Sequence, residues 1–346
     1  MRTRDPVAGR LPVTLITGFL GSGKTTLLRE LLRHPAMNRV AVVINEVGEI
    51  GIDNDLVTMV SENVSLLANG CLCCVVRTDL QETLRELFGQ RRAGEIIDFD
   101  RVVIETTGLA DPAPIVQTLA SDTMLGAHYR LDGVVTLVDA VNGSGQLTSQ
   151  PEAHKQVALA DRLFITKTDL VDTAQLEALS TELRALNPRA AIDVLRDGRI
   201  DPAELTNLGL SSAKGGESTL RFLGELETGS AEADGGYLGQ RLPARHDPRV
   251  QTMSLRFERP FSWETFSAAL DMLINLRGPD LLRVKGIVNV DGAAVVVQGV
   301  QHVMHPPVTL DRWPSDDTDT RIVFITRGIA ETAIRGLFDA VTAMRS

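Results

Sequence analysis

Two short stretches of this 346-residue chain carry residue types at spacings suited to chemistry. The first is "GFLGSGKT", Gly18 to Thr25, which fits the pattern G-x-x-x-x-G-K-[ST]. Gly18, Gly21 and Gly23 let backbone N–H groups curl around phosphate oxygens with no Cβ in the way. Lys24 would reach the β- and γ-phosphates, and the Thr25 hydroxyl would ligate Mg²⁺. Ser22 and Thr26 complete the candidate phosphate contacts, and the N-terminus of the following helix adds a favourable dipole. The second stretch, "NGCLCCVV", residues 69–76, holds every cysteine of the chain: Cys71, Cys73 and Cys74. Soft thiolates select zinc, copper(I) or iron–sulfur clusters. A tight turn, freed by Gly70, would aim three sulfurs at one ion. Three sulfurs leave one position of a tetrahedral zinc site open, which suits transfer of the metal better than permanent structure. Read from the residues alone, inert buried thiols, a redox switch between Cys73 and Cys74, and a cluster shared with a second chain stand beside metal binding.

Two further stretches extend the phosphate site. "VVIETTG" ends an apolar run with Glu105, placed to hold the Mg²⁺ shell, and Gly108 could sense the γ-phosphate. "FITKTD" ends another with Thr166, Lys167 and Asp169. A carboxylate at Asp169 can accept two hydrogen bonds from the guanine edge, a donor pair that adenine lacks. The Lys167 stem can pack on the ring face. GTPases usually carry Asn at the position of Thr166, so bracing of this loop and affinity for guanine are both in question.

These residues need rigid elements to hold them. "LPVTLIT" reads as a buried strand and "KTTLLRELLRH" as a helix with Leu27, Leu28, Leu31 and Leu32 on one face. "VAVVINE" is the next strand, and "TDLQETLRELFG" a helix starting near Asp79 and ending before Gly89. "FDRVVIETTG", "GVVTLVDA" and "DRLFITKTD" are three more strand-to-loop units, with helical stretches between them such as 174–186. This alternation predicts an α/β fold: a mostly parallel sheet covered on both faces. After about residue 225 the pattern changes. Residues 227–248 read as a linker. Then follow a strand "VQTMSLRFE", a helix "SWETFSAALDMLINL", strands turning at Asp291-Gly292, a strand "TRIVFITRG" and a helix over 330–344. The predicted organisation is a nucleotide-binding domain over residues 1–226, the linker, and a smaller α+β domain over 249–346.

Composition narrows the partners. A net charge of -10 argues against bulk nucleic-acid binding, which needs phosphate-neutralising Lys and Arg. No run of about 18 apolar residues is present, so no membrane span is expected. "MRTRDPVAGRLP" lacks the apolar core of a signal peptide, and a cytoplasmic protein with reduced thiols is expected.

The chain resembles the CobW-type (YjiA-like) P-loop GTPases, a metallochaperone family. The resemblance rests on "TGFLGSGKTTLL", "NEVGEIGIDNDLV", "NGCLCC", "VVIETTGLADPAPI", "LVDA" and "TKTDL", and later on "LLRVKGI", "VVQGVQHV" and "VFITRG". Thr at position 166 also occurs in the YjiA-like branch. The resemblance implies GTP hydrolysis to GDP coupled to metal handling, with Lys24, Thr25 and Glu105 in catalytic roles and Mg²⁺ as cofactor. It carries the metal role onto Cys71, Cys73 and Cys74 and points to Glu46 and Glu49 as ligands or switch residues. Zinc is preferred to cobalt, and an unidentified metal-requiring client protein and a homodimer are the implied partners. Many members carry a His-rich run near the second domain; here the linker holds only His246, and His302 and His305 read as a structural strand end. The cysteine segment lies between the phosphate loop and the Glu105 strand, so bound nucleotide could order the metal site. A P-loop small-molecule kinase and a thiol redox sensor are the alternatives.

Overall fold

The computed structural model describes residues 9–45, 57–61, 64–67, 72–75, 79–205, 208 and 250–345. β1 (Leu11–Gly18) is almost wholly buried and leads through the phosphate loop into α1 (Lys24–Arg33). Leu27, Leu28, Leu31 and Leu32 bury one face of α1 against Ile16, Val42, Val103 and Leu137, as their helical spacing requires. β2 (Val40–Asn45), β3 (Val57–Ser61), β4 (Val64–Leu67) and β5 (Leu72–Val75) follow, then α2 (Leu80–Ala93). Asp79 caps α2, its Oδ1 accepting from the Gln81 N–H at 2.9 Å. The helix runs through Gly89 and stops instead at Gly94, which takes the left-handed conformation (φ 74) that a helix end favours. An internal glycine costs about 1 kcal/mol, less than the burial of Leu84 and Leu87 returns.

β6 (Arg101–Thr106), α3 (Ala113–Ser121), α4 (Thr123–His128), β7 (Tyr129–Asp139), α5 (Gly143–Ser149), α6 (Pro151–Leu159), β8 (Arg162–Thr166), α7 (Thr173–Leu186) and β9 (Ala191–Val194) complete this part. α7 begins in a capping box between Asp172 and Gln175. Among the described residues the sheet order is β3-β4-β5-β2-β6-β1-β7-β8-β9. From β5 to β9 along that order every pairing is parallel; β3 and β4 add an antiparallel edge. The central parallel strands β2, β6, β1, β7 and β8 are buried on both faces, which is why they read as continuous apolar runs. The antiparallel edge is absent from the strands expected from sequence.

The second sheet is antiparallel, in the order β10 (Val250–Phe257), β15 (Thr320–Arg327), β11 (Leu281–Val290), β12 (Ala293–Val300), β13 (Val303–Met304), with β14 (Val308–Thr309) also on β12. β11 and β12 turn at Asp291 (φ 50) and Gly292 (φ 91), the two positive φ values a tight hairpin needs. The helices Trp263–Arg277 and Glu331–Arg345 pack an aromatic-rich core on one face, with Phe266, Phe324 and Phe338 fully buried.

The other face of this sheet packs against helices α3, α6 and α7 of the first part. Ala158 of α6 packs with Leu282, Val323 and Ile325. Arg283 and Lys285, both buried on β11, converge on Asp161 just after α6, Lys285 at 3.3 Å. Burial alone would push the Asp161 carboxyl up, but Arg283 and Lys285 outweigh it and hold it below the usual range. Gln117 of α3 bonds Gln301 at 2.6 Å. Thus residues of "LLRVKGI", "VVQGVQHV" and "VFITRG" build the seam between the second sheet and the helices of the first part. His305 donates its backbone N–H to Gln298 O at 3.0 Å beside β13, the structural strand end expected; burial pushes its imidazole down to about 4.

Candidate nucleotide site

The phosphate loop lies between β1 and α1 at the carboxyl edge of the parallel sheet, where open α/β folds bind ligands. Gly18 (φ 144), Gly21 (φ 76) and Gly23 (φ 93) all lie in the region that favours glycine. At Gly18 space is also exhausted: a Cβ would stand 2.4 Å from Leu137 O and 2.6 Å from the Ser22 hydroxyl. The Lys24 ammonium arches back over the loop, donating to Gly18 O at 2.8 Å and Phe19 O at 3.2 Å. Its side chain is buried, so the cation is held at the loop rather than loose in solvent. Ser22 is buried; Thr25 is half-buried and Thr26 exposed on the first turn of α1.

Glu105 is fully buried near the end of β6, between Ile16 of β1 and Ile44 of β2. Strand alternation puts it on the face of Val103, the face α1 covers. A buried carboxylate and the Thr25 hydroxyl are hard oxygen donors on one side of the sheet, a set that fits Mg²⁺. Beyond Glu105 the chain makes a tight turn, Ala110 N–H donating to Thr107 O at 3.1 Å. Gly108 presses on the phosphate loop: a Cβ there would stand 2.7 Å from Leu20 N and 2.8 Å from its Cα. The Thr106 and Thr17 hydroxyls meet at 2.8 Å beneath.

The candidate base-reading loop follows β8. Lys167 is left-handed (φ 56), and its ammonium binds Asp139 Oδ2 at 2.6 Å, which holds the stem in one place. Asp139 also accepts from the Val141 N–H, the Asn142 N–H and the Asn142 side chain. Burial alone would raise the Asp139 pKa, but the Lys167, Asn142 and Val141 hydrogen bonds outweigh it and hold the group charged. Asp169 stands exposed in a short turn of helix over Thr168–Leu170. Thr166 does the bracing for which Asn was missed: its hydroxyl donates to Ser22 O at 2.9 Å, with Val138 O at 3.3 Å, tying this loop to the phosphate loop.

The family model of the CobW/HypB/UreG nucleotide-binding domain matches residues 12–193. This chain belongs to the CobW/HypB/UreG family. Residues 250–342 match the C-terminal domain of the cobalamin synthesis protein cobW. The zinc chaperone YjiA of Escherichia coli K12 is 35% identical over 337 residues, covering 96% of this chain and 98% of that protein. The zinc-regulated GTPase metalloprotein activator 1 of Schizosaccharomyces pombe is 33% identical over 330 residues, covering 87% of this chain and 77% of that protein. The crystal structure of the Zn(II)-bound YjiA GTPase from E. coli matches with a TM-score of 0.72 at 32% identity, covering 96% of this chain and 99% of that one.

The CobW-type domain thus brings Gly18 to Thr26, Glu105, Gly108, Lys167 and Asp169 to the loops at one edge of its sheet. The cysteines stand differently. Cys73 and Cys74 are consecutive residues of β5, paired with Val42 and Val43 of β2 and with Ser65 and Val64 of β4. The tight turn expected there is an extended strand at these two positions, since pairing on both sides satisfies its backbone. Cys71, Glu46 and Glu49 lie outside the described residues, and among the described residues no group of three His, Cys, Asp or Glu could hold a metal. Asp139 escaped the sequence reading as a site residue. Its signal was the one that marked Glu105, an acid ending an apolar strand.

Proposed function

We propose that this chain is a GTP-hydrolysing metallochaperone that carries zinc to a client protein, as the names of its relatives suggest. Cobalt(II), which accepts similar ligand geometry, is the alternative cargo. The observation that carries the reading is the assembled phosphate and base site. Glycine-shaped backbone, Lys24, Thr25 and Glu105 lie at the same sheet edge as the loop that carries the exposed Asp169, with Lys167 tethered to Asp139. Gly18, Gly21, Ser22, Gly23 and Thr26 cradle the phosphates, and Gly108 senses the γ-phosphate. Lys24 neutralises developing charge on the β- and γ-phosphates, and Thr25 and Glu105 orient the Mg²⁺ that supplies further charge stabilisation when bound. Little covalent chemistry falls to the protein.

Cys71, Cys73 and Cys74 bind the cargo metal, with Glu46 and Glu49 as further ligands or switch residues. The working division is residues 1–226 for the GTPase domain, 227–248 for the linker and 249–346 for the C-terminal domain. Among the described residues no helix is long and apolar enough to cross a membrane. A cytoplasmic location without membrane or nucleic-acid partners is part of the proposal. A homodimer is compatible with this reading.

The test is phosphate release from GTP and from ATP, together with metal analysis of the purified protein with and without a non-hydrolysable GTP analogue. The wild-type protein is expected to prefer GTP and to hold zinc in a nucleotide-dependent amount. Lys24→Ala is expected to fold and to lose turnover. A phosphorylated small-molecule product would replace this reading with the kinase, and a reversible disulfide without metal stoichiometry would replace it with the redox sensor.

A further inference from the structure

We propose that Gln156 is a positioning residue for GTP hydrolysis, holding the turn after Glu105 in the geometry that phosphoryl transfer requires. This rests on the GTPase reading above. Gln156 lies on α6, almost wholly buried, at a position to which the sequence patterns gave no role. Its Nε2 donates to two carbonyls of one turn, Gly108 O at 3.1 Å and Ala110 O at 3.0 Å. Its backbone carbonyl accepts from the Thr136 hydroxyl of β7 at 2.8 Å, a contact of the helix backbone in which the amide takes no part. Next to it, Lys155 binds Asp111 at 2.8 Å, so α6 grips the segment 108–111 at three points.

The consequence is geometric. The described peptide bonds are all trans, so a carbonyl and the N–H of the same peptide plane point in opposite directions. Drawing Gly108 O toward Gln156 therefore turns the Leu109 N–H away from α6, and drawing Ala110 O does the same for the Asp111 N–H. The Gly108 N–H is set as well, because the carbonyl of its plane, Thr107 O, is engaged by the Ala110 N–H. On its other side the turn is wedged against the backbone of Leu20 in the phosphate loop. The N–H groups that can meet a γ-phosphate are thus oriented before any nucleotide arrives. Preorganised donors of this kind cost no reorganisation in the transition state.

Residue type matters here. Two N–H groups on one neutral nitrogen are available only from a side-chain amide. Lys or Arg would bring a charge into a buried site. Asn is one methylene shorter and would not span from the α6 backbone. GDP has no γ-phosphate for the turn to meet, so Gln156 should influence the hydrolytic step and not the grip on GDP.

The experiment compares wild type, Gln156→Met, Gln156→Glu and Thr136→Val in the full chain. It measures thermal unfolding, GDP affinity, and single-turnover and steady-state hydrolysis of saturating GTP with Mg²⁺. Gln156→Met keeps length and packing without donors; Gln156→Glu keeps shape and sets oxygen against both carbonyls. Both are expected to hold GDP within about threefold of wild type while kcat falls about 10–100-fold, the scale of a roughly 1 Å misplacement. Thr136→Val removes a buried hydrogen bond in the same place but leaves the amide; it should unfold at lower temperature with kcat within about twofold of wild type. Unchanged kcat in folded Gln156→Met overturns the proposal. So does a parallel loss of GDP affinity, kcat and stability in Gln156→Met that Thr136→Val reproduces, which is the profile of a purely structural residue. If Gln156→Met does not fold, Gln156→Glu decides on the same criteria. Absence of GTP turnover in the wild type would remove the GTPase reading itself, and this proposal with it.

Discussion

Lys285→Met probes the charge balance of the seam between the second sheet and the helices it covers. Arg283 and Lys285 both face Asp161, so one carboxylate answers two cations in a dry site. Burial is the largest influence on Lys285 and Arg283 adds repulsion; against the pull of Asp161 they bring its pKa from 10.5 down to about 8. Below pH 8 the amine is charged in both folded and unfolded chains, and the folded protein bears the full cost. Between pH 8 and 10.5 the folded chain has released a proton that the unfolded chain still holds, so stability rises with pH. Each pH unit in that window is worth about 1.4 kcal/mol, so moving from pH 8 to 9.5 stabilises the wild type by about 2 kcal/mol through this group. Met fills similar volume without a charge and leaves Arg283 and Asp161 matched one to one. The variant should therefore lose about 2 kcal/mol relative to wild type over the same interval, while their difference stays flat below pH 7.5. Urea unfolding followed by tryptophan fluorescence measures this, since Trp263 and Trp313 are the only tryptophans and both belong to the second sheet's unit. A wild-type-minus-variant difference that does not change from pH 7 to 9.5 would refute the reasoning, because Lys285 would then ionise as it does in water.

Three other substitutions probe the site. Gly108→Ala would place a methyl group 2.6 Å from the Leu20 side chain and 2.7 Å from its backbone nitrogen. It should cost about 1–3 kcal/mol of stability and at least about tenfold in single-turnover GTP hydrolysis, with GDP affinity nearly unchanged; normal turnover would show that the turn and the phosphate loop separate during reaction. Asp169→Asn replaces a charged double acceptor by one acceptor and one donor, so GTP affinity should fall by about 1.5–3 kcal/mol relative to ATP in competition binding, and an unaltered base preference would mean guanine is read elsewhere. Cys73→Ser should weaken zinc binding far more than folding, because a hydroxyl is hardly ionised where a metal-bound thiol is deprotonated. In the wild type, chelator-competition titrations with a GTP analogue and with GDP should differ by about 1–3 kcal/mol, and equal affinities would leave the two sites uncoupled.

Local rules made much of the nucleotide site legible. The phosphate loop, the Asp79 cap, the leucine face of α1 and the Asp291-Gly292 hairpin each depend on residues within a few positions of one another, so their spacing carries the answer. The end of α2 did not follow. Gly89 looked like a stop, yet packing of Leu84 and Leu87 carried the helix past it to Gly94. The strand at Cys73 and Cys74 was hidden for a related reason: its backbone is satisfied by β2 and β4, partners that a turn-forming Gly70 does not reveal.

What the sequence determined by itself was chemistry that runs along the chain: which loop has the phosphate-binding pattern, which strand ends in an acid, where thiols gather, and the change of pattern near residue 225. What only the tertiary structure decided were the contacts that join distant segments. Thr166 braces Ser22 across 144 positions, Gln156 holds Gly108 across 48, and Asp161 meets Arg283 across 122. Thr166, Ser22 and Gly108 belong to local patterns, but no local pattern says which distant group each contact will meet. Each contact forms because burial leaves a carbonyl or a charge that must be answered, and which group answers it depends on which segments the fold packs together.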